Sequence, residues 1–235
     1  MIPVRRILCH CFLRSGWPAR LMIACWFVGT LPLARGAEPS NPVATKNVAA
    51  IVTVYRHNSH ADVIVSRLLQ TDTLDGKGKD SPLKLVSLYT DQKPADDISR
   101  LLAASHRFRI SETIEDALTL GTGRLAVDGV LLIAEHGDYP KSPTGNTQYP
   151  KRRFWEETLK VFRASHRVVP VFIDKHLADN WADAKYIYDT ARELKVPLMA
   201  GSSVPGTWRH PAADVQRGAR LRFFTMCFSP QLEKE

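Results

Sequence analysis

Apolar positions along this chain follow two alternating periods. Val48 to Val54 is a continuous apolar, β-branched run, the pattern of a strand buried on both faces. Ala61, Ile64, Val65, Leu68 and Leu69 then recur at helical spacing within Ala61 to Gln70. A polar, glycine-bearing loop, Thr71 to Pro82, precedes a second strand, Leu83 to Tyr89. Pro94 to His106 predicts a second helix, with Asp96 and Asp97 in its first turn, where the helix dipole favours acids. Phe108 to Ile110 predicts a short strand and Ile114 to Leu120 a short helix. Val127 to Ala134 is the next buried strand, followed by a loop from Gly137 to Pro150 and an amphipathic helix from Lys151 to His166. Val168 to Ile173 is a fifth strand; a helix-period segment and a short run, Pro197 to Ala200, complete the pattern.

About six strands separated by helices predict parallel pairing through right-handed crossovers. The expected fold class is α/β: a doubly wound, mostly parallel, Rossmann-like sheet in three layers. In such sheets ligands bind at the carboxyl ends of the strands. The charged triplet Asp174, Lys175 and His176 lies there, after the fifth strand. His57 and His60 follow the first strand, and Glu135, His136 and Asp138 follow the fourth. The topology brings these three turns to one edge.

The formal charge of +8 changes this picture little. Residues 1–37 hold five Arg and no acid; the remainder carries 27 basic and 24 acidic residues, a net of +3. That balance argues against a nucleic-acid partner. Residues 1–37 read as a signal peptide: Arg5, Arg6, Arg14 and Arg20, then the apolar stretch Leu21 to Leu33, then a cleavage site at Ala34-Arg35-Gly36. The apolar stretch is short for a membrane span. The expected address is therefore periplasmic or secreted, with an uncleaved amino-terminal anchor as the alternative. Cys9, Cys11 and Cys25 fall in this segment, which leaves Cys227 alone and no internal disulfide framework. Residues 38–47 read as a linker, 48–205 as the Rossmann-like domain and 206–235 as an irregular tail too short to build a second domain. Trp155, Trp181, Tyr186 and Tyr188 read as core or helix-packing residues, and Trp208 as a pocket wall or hinge.

From Val48 to Ser203 the chain resembles the nucleotide-binding domain of the Gfo/Idh/MocA oxidoreductases. Asp174-Lys175-His176 stands where that family has Glu-Lys-Pro, and Lys195-Val196-Pro197-Leu198-Met199-Ala200-Gly201 resembles the strand that follows its next helix. Leu83 to Asp91 resembles the family's second strand, whose terminal acid contacts the adenosine ribose. The resemblance implies NAD or NADP as cofactor, a sugar or polyol substrate, and a proton-transfer role for Lys175 beside Asp174 and His176. It implies cofactor contacts from Tyr55, Arg56, His57, Asn58, His60, Asp91, Glu135 and His136. The sequence departs in its first turn, Val54 to Asp62, which has no glycine where a GxGxxG motif is expected. The family's second domain has no counterpart, so the chain is expected to be incomplete or inactive as an enzyme.

Two alternatives stand beside this one. The first is a non-catalytic module that binds a carbohydrate or small anion in the same crevice; Arg152 and Arg153 are candidate anion contacts, with a solvated helix face as their plainer reading. The second is a metal-dependent hydrolase or lyase. It would use His57, His60, His136 and His176 with Glu135, although no recognised ligand spacing is present. Homo-oligomer formation is left open.

Overall fold

The computed structural model describes residues 44–71, 78–202, 219–220 and 222. The signal-peptide reading, most of the linker, Trp208 and nearly all of the tail lie outside the described residues.

Among the described residues, six strands alternate with five helices: β1 (Lys46–Val52), α1 (His60–Leu68), β2 (Leu83–Thr90), α2 (Ser99–His106), β3 (Arg109–Ser111), α3 (Ile114–Thr119), β4 (Gly129–Ile133), α4 (Lys151–Ser165), β5 (Val171–Asp174), α5 (Trp181–Glu193) and β6 (Leu198–Gly201). They form one sheet in the order β3-β2-β1-β4-β5-β6. Every pairing in it is parallel. This is the doubly wound Rossmann order, with its switch point between β1 and β4.

The core explains why β1 reads as an unbroken apolar run. Ala49 and Ile51 face a cluster with Val130, Leu132 and Ile173 of the sheet, Ile114 and Leu118 of α3, Phe154 and Leu159 of α4, and Ile187 of α5. Val48, Ala50 and Val52 face the opposite cluster, with Leu85 and Leu88 of β2 and Ala61 and Val65 of α1. Alternate residues of one strand thus serve two layers, which fixes its register. Trp155 is fully buried and its indole N–H donates to Thr190 at 2.8 Å, which satisfies the polar end of a large apolar side chain.

Several expectations shift. β1 starts at Lys46, two residues before Val48. α2 starts at Ser99, so Asp96 and Asp97 precede it instead of filling its first turn. There Pro94 and Asp97 close a turn through Asp97 N–H to Pro94 C=O at 3.0 Å, and Asp97 accepts from Ser99 Oγ at 2.6 Å. Local side-chain bonding of this kind competes with helix formation. Trp181 and Tyr188 are 80% and 51% exposed, so neither is a core residue. They lie on the outer side of α5, whose buried positions are Ile187, Thr190 and Ala191.

Candidate functional site

The β1–α1 turn holds its shape without glycine. Asn58 takes a left-handed backbone conformation (φ 61°), which Asn tolerates better than most residues. Ser59 caps α1, accepting the Asp62 N–H at 3.2 Å, and the Asp62 carboxylate accepts the Asn58 N–H at 2.9 Å. This is a variant of the capping box: Asp62, at the third helical position, takes the N–H of the residue before the cap, while the cap's own N–H goes to the Arg56 carbonyl. It places the protein's own negative charge at the helix end where a pyrophosphate binds in glycine-rich turns.

Of the cofactor candidates in this turn, Tyr55 needs correction as a side-chain contact. It is fully buried and pairs through its hydroxyl with Ser66 Oγ at 2.7 Å. Burial in that apolar layer pushes its phenol well above the ordinary range. Arg56 is exposed and bridges to Asp97 through the backbone. His57 is 83% exposed and lies 3.4 Å from Asp62.

His60, the first residue of α1, behaves differently. Its Nδ1 lies 2.5 Å from Asp174 Oδ2, joining α1 to the last residue of β5. The His136 ring, from the turn after β4, packs edge-on against His60 with centroids 4.9 Å apart. Asp174 is fully buried as a side chain, and its other oxygen has no hydrogen-bond partner among the described residues. The three turns therefore converge through His60, His136 and Asp174. His57 and His176 stay on the exposed side. Among the described residues no group of three or more His, Cys, Asp or Glu is gathered as a metal ion would require.

Lys151 is the residue that sequence reasoning missed. It begins α4, yet its side chain is only 1% exposed. Its ammonium donates to Glu135 Oε1 at 2.5 Å, to the Lys175 carbonyl at 3.0 Å and to the His176 carbonyl at 2.7 Å. All three ammonium protons are thereby used, as a buried cation requires. Lys151 ties the turn after β4 to the turn after β5. The signal was a basic residue in the first turn of a helix, where the dipole disfavours it. Lys175 is half-buried, and it is its backbone that is held.

A cavity of about 410 Å³ lies beside these turns, lined by Glu135, Asn146, Thr147, Tyr149, His176, Ala178 and Asp179. Burial raises the Asp179 carboxyl above its ordinary range; the Glu135 charge pushes the same way and Lys151 opposes it.

Asp91, the ribose candidate, follows β2. Its carboxylate accepts both Tyr hydroxyls, from Tyr89 at 2.6 Å and Tyr139 at 2.7 Å, and receives Arg153 on both oxygens at 2.7 Å. Next to it, Gln92 donates to the Asp138 carbonyl and accepts the Asp138 N–H, at 2.7 and 2.9 Å. The loop between β4 and α4 is thus clasped to the end of β2. Arg152 is engaged by Glu156 and Asp183. Gly201 ends β6 so closely under Phe172 that a Cβ there would sit 2.4 Å from the ring.

No family model matches the chain, and no curated protein does. Solved structures do. Biliverdin reductase with biliverdin and NADP+ from Synechocystis sp. PCC 6803 is 17% identical over 66% of this chain and 37% of its own, with a TM-score of 0.40. UDP-N-acetylglucosamine 3-dehydrogenase from Acidithiobacillus ferrooxidans is 15% identical over 66% and 38%, with a TM-score of 0.39. An NAD-binding protein from Listeria innocua is 17% identical over 66% and 35%, with a TM-score of 0.40. The chain therefore spans little more than a third of these proteins' length. Strand order and pairing define it as a Rossmann-fold protein with an ionisable cluster at the switch point.

Proposed function

We propose that this chain is a Gfo/Idh/MocA-like Rossmann protein whose crevice, at the carboxyl edge of β1, β4 and β5, serves a sugar or polyol with NAD or NADP as cofactor. The observation that carries this reading is the coincidence of the β3-β2-β1-β4-β5-β6 order with the cluster of His60, Glu135, His136, Lys151 and Asp174 at the switch point. A bound nicotinamide supplies hydride transfer. Lys151 would hold the β4 and β5 turns in register around the ligand. The strand order is the one that dinucleotide-binding sheets use, which supports this reading. The two usual anchors of a dinucleotide, the α1 amino terminus and the acid after β2, are engaged by Asp62 and by Arg153 with two tyrosines.

Those engaged anchors favour a second reading, a module that binds a carbohydrate in the same crevice without redox chemistry. Calorimetric titration of the purified protein with NAD and NADP at millimolar concentration separates the two. Saturable heat with either supports the oxidoreductase reading. No heat with either removes the cofactor, and nicotinamide found in the isolated protein would count against the second reading. The amino-terminal segment supports an extracytoplasmic site of action, checked by fractionating cells that express the full chain.

A further inference from the structure

We infer that the groove between α1 and α2 binds a small carboxylic acid with an apolar body, its carboxylate taken by Arg67. The site is separate from the crevice: no residue of β4, β5 or the turns after them lines it.

The topology sets the ends of this groove. β1, β2 and β3 are parallel neighbours, so α1 and α2, which connect them, both run back against the strands and point the same way. Both pack on one face of the sheet, where Ala61 and Val65 of α1 share a core cluster with Ile98 and Leu102 of the α2 segment. Their carboxyl ends therefore lie at the sheet edge opposite the crevice. Arg67 is in the last turn of α1 and His106 in the last turn of α2. Both residues line a cavity of about 270 Å³, to which Val63, Leu69, Ile98 and Leu102 bring apolar surface. Pockets for drug-sized molecules begin near about 300 Å³, so this one suits a single ring or a short chain.

Arg67 Nη1 is sealed from solvent and has no hydrogen-bond partner among the described residues. A guanidinium only donates, and a sealed donor without an acceptor is a cost that folds ordinarily avoid. The carboxyl end of α1 favours a cation in its last turn, which accounts for the charge there, yet no described carbonyl accepts from Nη1. Asp62, the acid in the same lining, does not supply the acceptor. It lies more than one helical turn back. Its oxygens already accept the Ser66 hydroxyl at 2.6 Å and the Asn58 N–H at 2.9 Å, with His57 at 3.4 Å. A carboxylate from outside would complete what the fold leaves open, because both its oxygens match the planar donor fork of the guanidinium. Its apolar body would cover the surface of Val63, Leu69, Ile98 and Leu102. An inorganic anion or a neutral apolar molecule satisfies only half of this lining.

Isothermal calorimetry of the full chain tests this, with phenylacetate as the probe. Saturable binding is expected, with a Kd below about 10 mM. 2-Phenylethanol keeps the ring and loses the charge; inorganic phosphate keeps charge and loses the ring. Each is expected to bind more weakly by about tenfold or more, and Arg67→Met to weaken phenylacetate by a similar factor. No saturable binding of phenylacetate, equal binding of either control, or an unaffected Arg67→Met overturns the site. Should Arg67→Met fail to fold, ¹H–¹⁵N correlation of arginine side chains in the parent protein decides. Phenylacetate is expected to shift the Arg67 Nε–H signal, and an unmoved signal would overturn the assignment. None of these readouts depends on NAD or NADP, so this site and the crevice reading fail separately.

Discussion

At the scale of single residues, Lys151 and Asp91 decide how the site edge is held. Lys151→Met would remove the cation from Glu135 and strand two carbonyls, and breaking a buried pair in this way costs about 3–5 kcal/mol. Urea unfolding should show that loss, and a double change with Glu135→Leu should recover part of it, because the orphaned charge would be gone. Asp91 carries a pH signature. Burial raises its carboxyl, but Arg153 and the hydroxyls of Tyr89 and Tyr139 outweigh that and hold it below the usual carboxylate range. A carboxyl lowered by folding contributes stability above its unfolded value, near about 4, and loses it as pH falls through the folded value. The stability difference between the parent and Asp91→Asn should therefore be full at neutral pH and close in acid. A difference that persists unchanged in strong acid would mean the Asp91 charge contributes nothing.

At the scale of elements, the turn between β1 and α1 shows both how far the sequence is legible and where it stops. The strands were readable because two-sided burial leaves continuous apolar runs, and their order followed from crossover length and handedness. The edge cluster was readable too, since topology alone sends the ends of β1, β4 and β5 to one place. Side-chain direction was not. Nothing in Val54 to Asp62 says that Tyr55 turns inward while His60 reaches across to Asp174, because that choice depends on contacts 114 positions apart in sequence. Lys151 escaped notice for the same reason: its partners come from two other turns. The glycine-free turn is built by other means, through the left-handed Asn58 and the Ser59 cap. Asn58→Ala should cost about 1 kcal/mol through the left-handed backbone, while Asn58→Gly should be tolerated. Ser59→Ala should cost about 1 kcal/mol through the lost cap. Thermal unfolding of the three variants checks both; equal losses for Ala and Gly at position 58 would contradict the backbone account.

At the scale of the whole molecule, a clasp joins the end of β2 to the β4–α4 loop beside the switch point. The loop is held there by Tyr139 on the half-buried Asp91, which Arg153 of α4 also braces, and by the exposed reciprocal Gln92–Asp138 pair, while Gly137, Asp138 and Pro140 are exposed. Segments fixed mainly by exposed polar contacts open at low free-energy cost. On the proposed reading, a ribose hydroxyl bonded to Asp91 would have to displace one of its present donors, and the affinity of such a ligand would be reduced by the closed fraction. Removing the clasp should shift this balance. Tyr139→Phe combined with Arg153→Met frees Asp91 while leaving Lys151, His60 and Asp174 untouched. Amide exchange in residues 138–147 should accelerate in the double variant, with β1, β4 and β5 unchanged. If NAD or NADP is the ligand, its affinity should rise in the same variant. Faster loop exchange with weaker dinucleotide binding would instead show Arg153 to be a cofactor contact, and unchanged exchange would show that the loop is held by something other than Asp91.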